Sequence, residues 1–265
     1  MKNYGDFIKS GKIILGAHRG DLLNYPENTM SAFRSAVELG IDAIETDVRC
    51  SSDGVLVLIH DRSVERTTGK TGNVDEMTID QLKALNAGFY KGENFTEEIP
   101  TVEEFLEFVS QTDIVINWEL KEYPDELGKE KAFSTVDKLV ALIRKYGMER
   151  KSIMNSFSQK LLEYVNDTYP NEFIIHGYFG YERVDVSSKP LEDFCDWAAI
   201  WKKDEDHPYG FEEDYALADS KAVLTCILVY DIVENYAGAL KLGCKMFTTN
   251  DIVKADNALK QLGKR

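Results

Sequence analysis

Two histidines, three acids and two cations recur through the first half of this 265-residue chain, each at or near the end of a short apolar run. Ile13-Ile14-Leu15-Gly16-Ala17 leads into His18-Arg19-Gly20, Ala43-Ile44 into Glu45 and Asp47, Val55 to Ile59 into His60-Asp61, and Val115-Ile116 toward Glu119 and Lys121. Carboxylates are hard oxygen ligands, and Mg2+ or Ca2+ takes such ligands together with water. Three of them meeting at adjacent strand ends repel unless neutralised, and acids inside apolar runs are seldom buried unpaired. One divalent cation, Mg2+ or Ca2+, held by Glu45, Asp47 and Glu119 answers both problems. An imidazole exchanges a proton near neutral pH, which makes His18 and His60 candidates for general acid and base. A guanidinium grips phosphate oxygens in bidentate fashion and an ammonium neutralises them as a point charge, the roles open to Arg19 and Lys121. Such a set suits metal-assisted attack at phosphorus. The plainer readings are solvated acids, hydrogen-bonded histidines at strand ends, and salt bridges from Arg19 and Lys121 to neighbouring acids. The other two histidines take the plainer reading: His176 in a strand that could face a barrel interior, and His207 in the acidic stretch Asp204-Glu205-Asp206.

Polar side chains at the ends of several strands are how barrel enzymes assemble a site. Apolar runs alternating with amphipathic stretches predict strands at 13–17, 43–48, 114–120, 152–156, 172–178, 197–201, 225–230 and 244–248, the eight that a closed barrel needs. Between them, helical spacing runs from Thr29 to Leu39 and stops at Gly40, and another helix runs from Phe133 to Tyr146 and stops at Gly147. Thr101 with Glu104 three residues on forms a capping box for a helix over 101–109. The fold class is therefore α/β, a single TIM-type (β/α)8 barrel spanning 1–265, and the length is ordinary for one such barrel. The segment 49–60 breaks the rhythm. Asp53-Gly54 reads as a two-residue hairpin turn, which places Asp47 directly opposite His60, with Glu45 on the same face. Residues 62–98, punctuated by Gly69, Gly72, Gly88 and Gly92, read as a small insertion on the top face.

Hydrophobic residues make up 43% and charged residues 29%, a globular balance, and the net charge is −15. That field repels nucleic acid and anionic membrane surfaces. It leaves an anionic substrate dependent on local positive charge. No run approaches a membrane span, and the charged segment Met1 to Lys12 lacks the apolar core of a signal peptide. Cys50, Cys195, Cys226 and Cys244 are widely spaced without a CxxC pair and read as buried or incidental thiols, consistent with a reducing cytoplasm. No pattern specifies an oligomeric state.

The motifs occur in a familiar order: HRG at His18, PENT at Pro26-Glu27-Asn28-Thr29, ExD at Glu45 and Asp47, the DG turn followed by HD at His60, IPT at Ile99 to Thr101, ExK at Glu119 and Lys121, and SF at Ser156-Phe157. In this the chain resembles the glycerophosphodiester phosphodiesterase family from about residue 13 to its last helix. The resemblance implies a TIM-type barrel, a divalent cation, and hydrolysis of a small-molecule glycerophosphodiester to glycerol phosphate and an alcohol. It also implies attack by the substrate's own glycerol hydroxyl to give a cyclic phosphate that water then opens, with His18 and His60 as the acid–base pair in unassigned order. In the PENT motif, Asn28 or Thr29 could cap a helix, and Glu27 could support His18 or bind a substrate hydroxyl. Ser156 lacks the GxSxG setting of a nucleophile. Phe179, Trp201 and Tyr230, at strand ends, could line the alcohol side of the pocket or pack in the core. Two departures stand out: Ile227-Leu228-Val229-Tyr230-Asp231 replaces the family's WTVN-like segment, and Trp118 stands where an aliphatic residue is usual. Both bear on the identity of the alcohol. Two rivals remain, a barrel glycosidase using paired carboxylates near Asn117-Trp118-Glu119, and a catalytically silent domain that binds phosphorylated metabolites.

Overall fold

The computed structural model describes residues 13–180, 184–201, 209–228 and 233–265. The segment 1–12, His207 with its acidic neighbours, and Tyr230, on which expectations rest above, lie outside them. The strands are β1 (Ile14–His18), β2 (Ala43–Cys50), β3 (Leu56–Leu58), β4 (Val115–Leu120), β5 (Ser152–Asn155), β6 (Ile174–Phe179), β7 (Trp197–Ile200), β8 (Leu224–Leu228) and β9 (Met246–Thr249). Eight run parallel, and because β1 pairs with both β2 and β9 they close into the expected barrel. β2 outruns β1, and the antiparallel β3 pairs with that overhang.

Side chains alternate across each strand. Ile14, Ala43, Val115, Ile153, Ile174, Trp197, Cys226 and Met246 fill the lower barrel interior. Their neighbours Leu15, Ile44, Ile116, Met154, Ile175, Ala198, Ile227 and Phe247 point outward into the larger core beneath the helices. Polar residues on the inner face occur only above the apolar floor, so the fold gives the site an apolar base and a wet top.

The helix expected at Thr29 forms over Met30–Glu38, with the Thr29 hydroxyl accepting from the Ala32 amide. The Thr101 capping box heads a helix over Val102–Val109. The helix expected from Phe133 begins earlier and spans Lys129–Lys145. Its first turn is polar, so apolar periodicity could not mark it, although Lys, Glu and Ala all favour helix. Among the described residues no helix is long and apolar enough to cross a membrane.

The hairpin corrects one expectation. Val48 pairs with Leu58, Arg49 with Val57 and Cys50 with Leu56, one residue out of the expected register. Ile59, not His60, lies opposite Asp47, and its amide donates to the Asp47 carbonyl at 3.1 Å. The cause is a three-residue loop. Gly54 closes the turn on the Ser51 carbonyl at 3.0 Å, and the Ser51 amide donates to Val55 at 2.9 Å. Gly54 takes φ +88°, the left-handed residue that such loops place last. His60 therefore reaches the site from the chain beyond β3. Residues 62–98 follow there, with short helices over Glu65–Thr68 and Ile79–Lys83. They build a separate apolar cluster around Val64, Val74, Leu82 and Ala87.

Candidate active site

Glu45 and Asp47 share the inner face of β2, and Glu119 lies directly across from Asp47 on β4. Each offers an oxygen within 4.8 Å of the others, and all three are buried. Glu45 Oε1 has no hydrogen-bond partner. Burial, then the charges of Asp47 and Glu119, push the Glu45 carboxyl well above its ordinary range. For Asp47 burial acts the same way, but Lys121 and Arg19 outweigh it and hold the carboxyl well below its ordinary range. The chain alone thus leaves one member of the trio short of positive charge. A hard divalent cation fits: every donor is a carboxylate oxygen, one of them unpartnered, and a cation reverses the penalty on Glu45.

The turn after β1 depends on two left-handed residues, Arg19 at φ +55° and Gly20 at φ +87°. A Cβ on Gly20 would lie 2.8 Å from the Ala32 backbone, so only glycine fits. The turn folds Arg19 back over the acids: its amide donates to the Glu45 carbonyl at 2.9 Å, and its guanidinium meets Asp47 at 3.2 Å and Glu27 at 3.1 Å. Asn28 is not the helix cap. Its side-chain amide donates to Asp47 Oδ2 at 2.7 Å, and its oxygen accepts from Thr46 at 2.8 Å. Thr29 does the capping. Glu27 contacts Arg19 and Arg66, not His18.

Each imidazole has one nitrogen engaged. His18 Nδ1 lies 2.7 Å from Asn250 Oδ1, just beyond β9. An amide oxygen only accepts, so the ring carries its proton on Nδ1 and Nε2 is left as the proton-transfer atom. Burial and the neighbouring Arg19 lower the His18 pKa to about 4. His60 Nδ1 lies 2.7 Å from the Asp61 carboxylate, which orients it in the same sense. Lys121 sits two residues past Glu119 on the same face, ion-paired with Glu119, and 3.2 Å from Asp47. Burial alone would lower its pKa, but Glu119 and Asp47 raise it, so it stays charged.

These side chains line a cavity of about 440 Å3 at the carboxyl ends of the strands. His18, Arg19, Glu45, His60, Glu119 and Lys121 form one wall. Asp47 lies behind it, fully buried. An aromatic group continues the lining, with Phe157 beneath the Lys121 ammonium, 5.7 Å from it to the ring centroid. Phe157 stacks on Tyr178 at 3.8 Å, and Trp201 meets both edge-on. Tyr178 enters the pocket, and of the two places left open for Phe179 it takes the outer core. Successive side chains of the strand point to opposite faces, so Tyr178 and Phe179 part company there. Ser156 is structural, donating to the Leu120 carbonyl at 2.9 Å. Trp118 is also outside the pocket, donating to Ser152 at 3.0 Å and packing on Phe105. His176 does face the interior, against Cys226 at 3.0 Å.

Sequence reasoning missed Asn250, Arg49 and Arg66, and the contact of Asn28 with Asp47. Arg49 is buried and donates to the carbonyls of His60 at 2.9 Å and Lys121 at 3.2 Å, tying the two chain segments together. Its only signal was a charge inside β2, two residues past Asp47 and so on the same face as the acids.

The glycerophosphoryl diester phosphodiesterase family matches residues 18–193. A glycerophosphodiester phosphodiesterase of Caldanaerobacter subterraneus subsp. tengcongensis is 41% identical over 165 residues, 60% of this chain and 64% of that one. One from Bacillus subtilis is 30% identical over 178 residues, 63% of this chain and 60% of that one. The match thus spans just under two thirds of these relatives. Among solved structures, an Oleispira antarctica phosphodiesterase in complex with the product sn-glycerol-3-phosphate superposes with a TM-score of 0.78 at 23% identity, covering 95% of this chain and 98% of that one. A glycerophosphodiester phosphodiesterase of Agrobacterium tumefaciens gives 0.70 at 21%, covering 92% and 99%. At these identities the structural likeness bears on the fold.

Proposed function

The chain belongs to the glycerophosphoryl diester phosphodiesterase family, and on that premise we propose that it hydrolyses a glycerophosphodiester to glycerol phosphate and an alcohol with one divalent cation. The observation that carries this reading is the buried trio Glu45, Asp47 and Glu119, flanked by Arg19 and Lys121 and set beside two imidazoles that line the same cavity. Glu45, Asp47 and Glu119 hold the cation, Mg2+ or Ca2+. When bound, it supplies charge that stabilises the phosphoryl oxygens. Arg19 and Lys121 bind those oxygens and stabilise the charge they gain in the transition state. His18 and His60, each with Nδ1 engaged, act through Nε2: the neutral ring takes the proton from the attacking glycerol hydroxyl, and the other, entering the step as imidazolium, gives its Nε2 proton to the departing alcohol oxygen. Water then opens the cyclic phosphate with the two roles exchanged. The aromatic wall of Phe157, Tyr178 and Trp201 receives the alcohol. The four buried cysteines suit a reducing compartment, and we place the activity in the cytoplasm.

A glycosidase reading has less support, because Glu119 is ion-paired with Lys121 and both histidines would be idle. The test is release of glycerol phosphate from a series of glycerophosphodiesters, with EDTA and after restoring Mg2+ or Ca2+. Metal-dependent release is expected. No release from any diester overturns the function, and full release in EDTA overturns the metal.

A further inference from the structure

Arg66 lies on the insertion, in the helix Glu65–Thr68, and none of the motifs of the site includes it. Its guanidinium spans two carboxylates, each bound to a different group of the site. Nε donates to Asp61 Oδ2 at 2.5 Å, while the two terminal nitrogens donate to Glu27 at 2.8 and 2.6 Å. Asp61 is the carboxylate on His60 Nδ1, and Glu27 is the partner of Arg19. One planar fork therefore closes a chain of contacts from His60 through Asp61, Arg66 and Glu27 to Arg19. We propose that Arg66 is a positioning residue for both the acid–base and the phosphate-binding halves of the site, and that the insertion acts on the reaction through it. This rests on the reading of His60 and Arg19 given above.

Two consequences follow from how charge is shared. Asp61 is about one third exposed. It can swing into water unless Arg66 holds it, and His60 then loses the acceptor that orients its ring. Glu27 Oε1 accepts from both Arg19 and Arg66. Without Arg66, Glu27 turns its full charge on Arg19 and competes with the phosphate. The insertion is otherwise tied to the loop after β1 by backbone-directed contacts: Tyr90 accepts from the Glu27 amide at 2.8 Å, and Lys91 donates to the Leu22 carbonyl at 2.5 Å. Loss of Arg66 therefore need not release the insertion. A lysine at this position is a single point charge and cannot span both carboxylates.

The experiment compares Arg66→Gln, Arg66→Lys, Asp61→Asn and the Arg66→Gln/Asp61→Asn double variant by steady-state kinetics. Arg62→Gln serves as the control, since it breaks a comparable insertion ion pair, to Asp75 at 2.8 Å, away from the cavity. Arg66→Gln is expected to lower kcat by about ten- to a hundredfold, the usual worth of a group that orients an active one. KM should rise as well, and Arg66→Lys should recover only part. The double variant should be little worse in kcat than Asp61→Asn alone. Independently of turnover, the 15N shifts of His60 should show the Nδ1-protonated tautomer in the wild type and a tautomer mixture in Arg66→Gln. If the wild type lacks diesterase activity, the function fails, while the 15N shifts still test the coupling of Arg66 to His60. An unchanged tautomer, additive effects in the double variant, or equal losses in Arg62→Gln would overturn the proposal.

Discussion

Glu45 and Asp47 are two residues apart on one strand, yet their carboxyls are pushed in opposite directions. Asp47 has Lys121, Arg19 and Asn28 around it, whereas Glu45 keeps an unpartnered oxygen. Glu45→Gln should therefore leave the melting temperature in EDTA equal to or above wild type, because it removes a repulsion. It should also shrink the rise in melting temperature produced by millimolar Mg2+ or Ca2+, because metal stabilises only as far as it binds. An unchanged metal-induced rise would remove Glu45 from the ligand set. For the histidines, His18→Ala and His60→Ala should each lower kcat by about two to four orders of magnitude, the range for positioned acid–base groups. Wild-type turnover in either variant would reassign that residue to structure.

The turn after β1 shows how an element's shape becomes a site. Gly20 and Gly40 both have left-handed φ, +87° and +76°. A Cβ at Gly20 collides with the Ala32 backbone, while one at Gly40 meets nothing within 4 Å. Gly40→Ala should cost about 1 kcal/mol for the backbone alone. Gly20→Ala should cost more, roughly 2–4 kcal/mol, through the added clash. It should also weaken phosphate binding, since Arg19 is next in the chain. Denaturant unfolding of both variants reads the difference, and equal costs would mean that the turn can relax. The hairpin of β2 and β3 teaches a related lesson. One extra loop residue shifts the ladder register by one, and His60 still arrives because Arg49 holds its carbonyl from β2.

For the molecule as a whole, the charge of −15 opposes an anionic substrate at long range. Binding then depends on short-range contacts that salt screens little. Lys121→Ala should raise KM and lower kcat, and Arg19→Lys should do the same through loss of the bidentate fork. Moderate salt should weaken wild-type binding little, because it also screens the unfavourable field. Kinetics of both variants across ionic strength decide this, and wild-type constants in both would mean that the phosphate is held elsewhere. The interior also makes stability depend on pH. Burial lowers the His176 pKa to about 3. The unfolded chain binds this proton below about pH 6.5 and the folded chain does not, so stability falls as pH drops from 6.5 toward 3. Between pH 7 and 5 the loss is about 2 kcal/mol. His176→Gln should lose correspondingly less in urea unfolding at pH 5 against pH 7. Identical pH dependence would show that His176 titrates normally.

Much of this was determined by the sequence. Eight apolar runs at barrel spacing, capped by polar residues, were enough for the closed barrel, because strand burial and helix amphipathicity are local patterns with fixed periods. The carboxylate trio, the two cations and the two histidines were legible for the same reason: each is a charge or an imidazole at the end of an apolar run, where the cost of burial demands a purpose. The tertiary structure alone decided the partners. Asn250 reaches His18 across 232 positions, and Lys121 offers its carbonyl to Arg49 across 72. Such contacts leave no periodic trace, since an exposed arginine and one that clamps two carboxylates read alike in a sequence. The one-residue hairpin slip and the entry of Tyr178, and not Phe179, into the pocket share a cause. Strand faces alternate at every residue, so a shift too small to change the fold is enough to change which side chain enters the pocket.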